Sequence, residues 1–155
     1  MFRRPPVARR PSPAAPPPLV YLTRRVSFAS AHRYRRADWS EERNEQVFGS
    51  CARQSYHGHS YVCDVTVSGP IDPETGMIVD LGLLDRVLAA EVRERFDHRN
   101  INVDVPEFAD GRLIPTGEEL ARFIFGRVQA ALGSATRVVR VTVAEDATLS
   151  ATYEA

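Results

Sequence analysis

The chain has no lysine, so all 20 of its basic side chains are arginine. A Schiff-base mechanism is excluded, because it needs a primary amine that can lose its proton. Cysteine is scarce as well. Cys51 and Cys63 cannot build a disulfide framework, and the chain reads as a cytoplasmic protein with reduced thiols. No apolar run is long enough to cross a membrane, and none resembles the apolar core of a signal peptide. A glycine-rich dinucleotide loop is also missing, so no nicotinamide cofactor is expected. The balanced charge, 20 basic against 20 acidic residues, hides an asymmetry. Residues 1–18 hold seven of the 11 prolines, four arginines and no acid, without apolar periodicity. That composition predicts a disordered extension, with a targeting or anion-binding arm as the other reading. Residues 19–155 are left with 16 basic and 20 acidic side chains, a net charge of −4, and are expected to form one domain. Nothing in this balance points to nucleic acid, and neither nucleic acid nor membrane is expected as a partner.

Histidine occurs four times, and three of the four are placed to meet as metal ligands. His57 and His59 stand two apart with Gly58 between them. On a strand that spacing aims both rings at one face, and Tyr61, Cys63, Val65 and Val67 continue the face as an apolar run. Gly58 leaves room for close approach. His32 ends a second strand-like run in which Leu22, Val26, Phe28 and Ser30 share its face. Side by side, the two strands would bring three imidazoles together. Three protein ligands with one open position is the usual make-up of a catalytic zinc site. Cys51 is open to two readings, a fourth ligand or a free thiol beside the metal, and the second is preferred. A nearby cation favours the thiolate, the form that can take a proton. Cys63 lies on the apolar face and reads as a buried spectator.

In chain order, Leu19–His32 is the first strand. The long polar loop 33–56, with room for a helical turn, connects His32 to Cys51 and reads as an active-site cover. The second strand spans His57–Gly69, and a turn follows at 72–76. Leu81, Leu84, Leu88, Val92 and Phe96 recur at helical spacing and predict a helix over 81–96. Asp97 and His98 follow it directly. His98 is either a cation at a helix end or an imidazole oriented by Asp97 for proton transfer. A second polar loop covers 102–113. Thr116 and Glu119 form a capping-box pattern that opens a second helix, with Leu120, Phe123, Ile124, Val128, Ala131 and Leu132 inward and Gly133 ending it. Along the strand 137–145, Val139, Val141, Val143 and Glu145 share a face. Glu145 either keeps its head in water or is buried and paired by a ligand with two parallel N–H donors. A last strand covers 149–153. The order ββααββ predicts an α+β fold, a four-stranded antiparallel sheet with two helices packed on one face.

Several motifs in a fixed order now matter together. F-A-S-A-H at 28–32, F-G-S-C at 48–51 and H-G-H at 57–59 come first. I-D-P-E-T-G-M-I-V-D-L at 71–81, F-D-H-R-N at 96–100, P-T-G-E-E-L-A at 115–121 and V-A-E-D at 143–146 follow. This series resembles the 6-pyruvoyl-tetrahydropterin synthase family, over about residues 20–154. The resemblance implies the tunnelling fold (T-fold), in which sheets of neighbouring copies join around a barrel. It implies a homohexamer with active sites between subunits. It also implies Zn2+ on His32, His57 and His59, Cys51 as general base, and Asp97 with His98 as acid/base partner. Glu145 would grip the pterin, and Thr116 would line the same pocket. The implied substrate is 7,8-dihydroneopterin triphosphate, converted to 6-pyruvoyl-tetrahydropterin with loss of triphosphate. The C-x5-H-G-H spacing and the eighteen residues between His32 and Cys51 look like the pyruvoyl branch. The queuosine-pathway relatives, 6-carboxy-tetrahydropterin synthases, typically show a shorter spacing and also release acetaldehyde. Gly117 departs from the pyruvoyl pattern, which often has a side chain there. Two readings of other classes remain. One is a non-catalytic zinc or pterin-binding module, for which Cys51, Asp97 and His98 would be superfluous. The other is a zinc hydrolase, for which the H-E-x-x-H arrangement is missing.

Overall fold

The computed structural model describes residues 19–155 apart from residue 135. The extension expected at residues 1–18 lies outside the described residues. Two long strands, β1 (Val20–His32) and β2 (His57–Gly69), pair antiparallel along their whole lengths. The register sets His32 opposite His57, Ser30 opposite His59 and Phe28 opposite Tyr61. Alternation then sends Val26, Phe28, Tyr61, Cys63, Val65 and Val67 to one face, where all are buried. Burial pushes the Cys63 thiol up to about 12, so it stays protonated and inert, as predicted. At Gly58 a Cβ would lie 3.0 Å from the Ser30 carbonyl oxygen, so only glycine lets the strands meet there without a shift. The other face is polar. The Thr23 and Thr66 hydroxyls bond at 2.8 Å, and Arg25 grips both oxygens of Asp64 at 2.8 and 2.7 Å.

Between β1 and β2 the predicted loop is folded. Helix α1 (Glu41–Phe48) is capped by the Ser40 hydroxyl, which accepts the Arg43 N–H. Asn44 is fully buried, accepts the Arg36 N–H and donates to the Arg36 and Ser40 carbonyls. One amide thus pins the approach to α1 at both ends. Downstream of β2, the single helix predicted over 81–96 is three segments on one path. These are α2 (Leu81–Leu88), a π-helical turn (Ala89–Arg93) and α3 (Glu94–Phe96). Asp80 caps α2 by accepting the Gly82 and Leu83 N–H groups. Within the wide turn Glu91 accepts from Arg127 at 2.8 Å and from Arg95 at 3.3 Å, while Val92 is fully buried. Leu81 is exposed, contrary to the inward face predicted for it, because it occupies the first, open turn.

The sheet continues with β3 (Arg99–Asn100), β4 (Arg137–Ala144) and β5 (Ser150–Glu154), in the order β3-β1-β2-β4-β5. β4 and β5 are antiparallel to their neighbours, whereas β3 runs parallel to β1. The sheet is therefore five-stranded and mixed, not four-stranded and antiparallel. A two-residue strand is too short to leave any periodicity. The loop after β3 also holds helix α4 (Ile101–Asp104) and a 3₁₀ turn that buries Phe108. Helix α5 (Gly117–Leu132) packs on β4 and β5 and touches α2, so the helices cover one face as expected. It buries Leu120, Ile124, Val128 and Leu132, whereas Ala131, predicted inward, is exposed. Thr116 accepts the Glu119 N–H, but the reciprocal half of the capping box does not form. The Thr116 N–H goes to the Ile114 carbonyl, and Glu119 grips Arg122 instead. Gly133 ends the helix at φ +70°, a conformation that glycine adopts without strain.

One register detail corrects the sequence. Thr66 pairs with Arg140, yet Val67 pairs with Val138, so Val139 is extra on β4. This bulge turns Val138 into the core at 1% exposure and leaves Val139 half-buried. Val141, Val143 and Glu145 keep the predicted face. Val138→Thr is expected to destabilise by about 1–3 kcal/mol, because it buries a hydroxyl among apolar side chains. Val139→Thr should stay within about 0.5 kcal/mol of wild type. Urea unfolding of the two variants checks the bulge, and the reverse ranking would place Val139 in the core.

Candidate active and metal site

His32 closes β1, and His57 and His59 open β2. Because they face each other across that register, their ring nitrogens converge to within 4.8 Å of one another. Nε2 of His32 and Nε2 of His57 are 3.1 Å apart. Nδ1 of His32 lies 2.8 Å from the Pro115 carbonyl oxygen. A carbonyl can only accept, so Nδ1 carries the proton and Nε2 presents its lone pair to the cluster. The Tyr61 hydroxyl lies against the same ring, 3.1 Å from Nδ1 and 3.3 Å from Nε2. Burial, ahead of the neighbouring imidazoles, pushes His32 down to about 4 in spite of the Pro115 bond. His57 is lowered too, by burial first and by His59 second. Both rings are neutral at pH 7, the state that ligates a metal.

Nε2 of His59 is buried and has no hydrogen-bond partner. The nearest carboxylate oxygen, Oε2 of Glu145, is 3.6 Å away. A buried nitrogen left this way is costly. A cation among the three nitrogens would remove the cost. The residues present therefore fit a divalent ion held by three imidazoles, with a coordination position left open. Cys51 is not part of that cluster. It is a free thiol in the 3₁₀ turn Gly49–Ala52, and its carbonyl accepts the Tyr34 N–H at 2.8 Å. The Tyr34 and Tyr61 phenols are held well above their ordinary range, by burial first and Glu145 next, and Cys51 adds to both. The thiol is thus within electrostatic reach of the cluster's walls.

Glu145 directly follows β4 and is 6% exposed, so its head is not in water. Its Oε1 accepts the Tyr34 hydroxyl at 3.0 Å. The carboxylate faces a cavity of about 270 Å³ whose lining includes Tyr34, Phe48, Thr116, Gly117, Leu149 and Ala151. The N-terminus of α5 opens onto this space, which favours negative charge there. Phe48 is carried in by α1, so the loop between His32 and Cys51 does form a wall of the cavity. At Gly117 a Cβ would meet Ala151 Cβ at 3.3 Å and stand 3.8 Å from Glu145 Oε1. The missing side chain leaves that space to whatever occupies the cavity.

Asp97 and His98 are brought together, but elsewhere. Asp97 Oδ1 accepts the Ala29 N–H at 2.8 Å, and the His98 N–H donates to the Ala29 carbonyl at 2.6 Å. The Ala29 bond, with His98 second, holds the Asp97 carboxyl below its usual range. Asp97 Oδ2 lies 3.1 Å from His98 Nδ1. His98 adopts φ +57°, an uncommon conformation for a residue with a Cβ, and both its neighbours' bonds to the β1 edge hold it there. Its ring is 84% exposed and lines a depression with His59 and with Ala31, Gly58 and Ser60, three positions that alternate to the sheet face away from the imidazoles. The ring stands beside the Asp97 carboxylate, two residues past the end of α3. Two groups escaped the sequence altogether. Tyr34 stood in a stretch read as loop, although it is two residues beyond His32 and therefore in phase with it. The Pro115 carbonyl has no sequence signal, since any residue supplies one.

Comparison with known proteins identifies a family. The profile of the 6-pyruvoyl tetrahydropterin synthase family matches residues 21–155. Human 6-pyruvoyl tetrahydrobiopterin synthase is 39% identical over 111 residues, 72% of this chain and 75% of that protein. A 6-carboxy-5,6,7,8-tetrahydropterin synthase from Rickettsia bellii is 32% identical over 81 residues, 52% of this chain and 49% of that protein. The solved structure of the Caenorhabditis elegans 6-pyruvoyl tetrahydropterin synthase superposes with a TM-score of 0.83 at 31% identity, covering 89% of this chain and 96% of that one. With the family profile spanning nearly all the described residues, the chain belongs to the 6-pyruvoyl tetrahydropterin synthase family.

Proposed function

We propose that this protein is a zinc-dependent 6-pyruvoyl-tetrahydropterin synthase, a carbon–oxygen lyase that acts on a phosphate ester. The convergence of His32, His57 and His59 beside a cavity that holds the buried carboxylate of Glu145 carries the reading. The substrate is 7,8-dihydroneopterin triphosphate. The amidine edge of a pterin offers two parallel N–H donors, and Glu145 accepts both in bidentate fashion. Thr116 lines the same cavity. His32, His57 and His59 would hold the zinc, which would supply Lewis acidity beside the substrate side chain. Cys51, as thiolate, removes a carbon-bound proton from that side chain. His98, oriented by Asp97, carries protons between carbon and oxygen. Triphosphate leaves as the C–O bond breaks. The ring takes up the two electrons that the side chain loses, so no outside oxidant or reductant enters.

Because His98 lies on the far face of the sheet, it serves a site built partly by a neighbouring copy. We place the chain in a tunnelling-fold homohexamer with active sites between subunits. We place the enzyme in the cytoplasm; among the described residues no helix is long and apolar enough to cross a membrane. A second reading is the 6-carboxy-tetrahydropterin synthase activity of queuosine biosynthesis, favoured by the similarity to that branch and using the same substrate and site. The longer spacing between Cys51 and His57 favours the pyruvoyl product.

Product analysis separates the two. Zinc-loaded protein given dihydroneopterin triphosphate is expected to yield a pyruvoyl pterin and triphosphate by mass spectrometry, without acetaldehyde. A carboxy pterin with acetaldehyde would move the protein to the other branch, and zinc-bound protein that holds pterin without turnover would make it a binding module. His57→Ala is expected to drop bound zinc from about one equivalent per chain to near zero, as loss of one of three ligands should. Elemental analysis reads this directly, and a full complement of zinc in the variant would remove His57 from the ligand set. Cys51→Ala and His98→Ala should each lower kcat by about 100- to 10,000-fold while retaining zinc. Mixed and reassembled, the two inactive variants should regain about a quarter of wild-type activity if each site draws on two copies. No recovery would confine both groups to one chain.

A further inference from the structure

Tyr34 touches several parts of the site at once. Its ring stands edge-on to His32, with centroids 5.1 Å apart, and edge-on to Phe48 at 6.0 Å. Its backbone N–H donates to the Cys51 carbonyl at 2.8 Å. Its hydroxyl donates to Glu145 Oε1 at 3.0 Å, across more than a hundred residues of chain. Among the described residues this is the only hydrogen bond to the Glu145 carboxylate.

A lone carboxylate has a soft last torsion, with a broad and roughly two-fold profile. It takes two parallel donors well only when its plane coincides with theirs. A single hydrogen bond to one oxygen is enough to favour one plane. It consumes one of about four lone-pair sites and leaves both oxygens able to accept again. Tyr34 is itself firmly placed, since two rings and a strand-like backbone bond hold it. The space beside the same oxygen is kept open by Gly117, where a Cβ would stand only 3.8 Å from Oε1. The hydroxyl and the missing side chain therefore flank one edge of the carboxylate.

We infer that Tyr34 is a positioning residue whose hydroxyl fixes the plane of Glu145, and that it thereby sets discrimination between flat heterocycles that offer two adjacent N–H donors and those that offer one. The inference rests on the pterin reading above. Tyr34 forms no bond in the reaction and acts through Glu145.

The test is a pair of fluorescence titrations on zinc-loaded protein, with pterin and with lumazine. Lumazine replaces the 2-amino donor of pterin by a carbonyl and carries a proton on N1, so only its N3–H remains on the edge that Glu145 would grip. Wild type should bind pterin more tightly than lumazine. Tyr34→Phe keeps the ring packing and deletes only the hydroxyl. It should raise the Kd for pterin about tenfold, the usual scale for one hydrogen bond to a charged group, and leave lumazine nearly unchanged. The discrimination ratio then shrinks about tenfold, with zinc content and Tm at wild-type values. Unchanged pterin affinity overturns the inference. Equal weakening of both ligands also overturns it, because packing alone would do that, as does a variant that loses zinc or melts well below wild type. A wild-type chain that binds zinc but not pterin overturns the pterin reading and this inference with it.

Discussion

The register of β1 on β2 is the constraint on which the site depends. It sets His32 opposite His57 and Ser30 opposite His59, so three imidazoles stand on one face at the end of the apolar run. A slip of one residue would send one strand's rings to the far face. The same register lines Phe28 and Tyr61 up as a stacked pair with centroids 4.8 Å apart, directly behind the histidines. Core packing therefore secures the register, and the register secures the cluster. Gly58 belongs to the same constraint, because its missing Cβ admits the Ser30 carbonyl.

The two faces of the sheet do different electrostatic work. On the helix side, a buried imidazole, two half-buried ones and a nearly buried carboxylate meet. Burial there keeps His32 and His57 unprotonated. The orphaned Nε2 of His59 marks a place where this arrangement is incomplete without a cation. On the opposite side His98 is exposed beside the half-buried Asp97, and the couple is anchored to Ala29 on β1 by the Asp97 carboxylate and the His98 N–H. A group held so firmly in an uncommon backbone conformation, yet open to solvent, is suited to meet something that arrives from outside the chain.

The segment 33–48 shows how a polar stretch becomes a wall. It has little apolar content, and its order comes from hydrogen bonds. Asn44 is buried and bonded to the backbone on both sides of the turn. Trp39 stacks on Phe48 at 5.8 Å and lies beneath the guanidinium groups of Arg36 and Arg43. Phe48 is thereby delivered to the cavity, and the Tyr34 ring packs against it.

Much of this was legible in the amino-acid order because side-chain direction within an element follows a local period. Alternation predicted the faces of β1 and β2, the helical period predicted the buried stripes of α2 and α5, and the H-x-H spacing predicted a shared direction for His57 and His59. Ordered motifs carried the family, with Glu145 and Thr116 assigned to one pocket, and the fold sets both on one cavity. What the sequence could not determine depended on partners far along the chain. The bulge that exchanges Val139 for Val138 is set by how β4 meets β2. The π-helical turn accommodates Glu91 between Arg95 and Arg127 from another helix. The Pro115 carbonyl on His32 and the Tyr34 hydroxyl on Glu145 exist only once the sheet and α5 are packed. Period encodes where a side chain points along its own element, and only tertiary packing decides what it finds there.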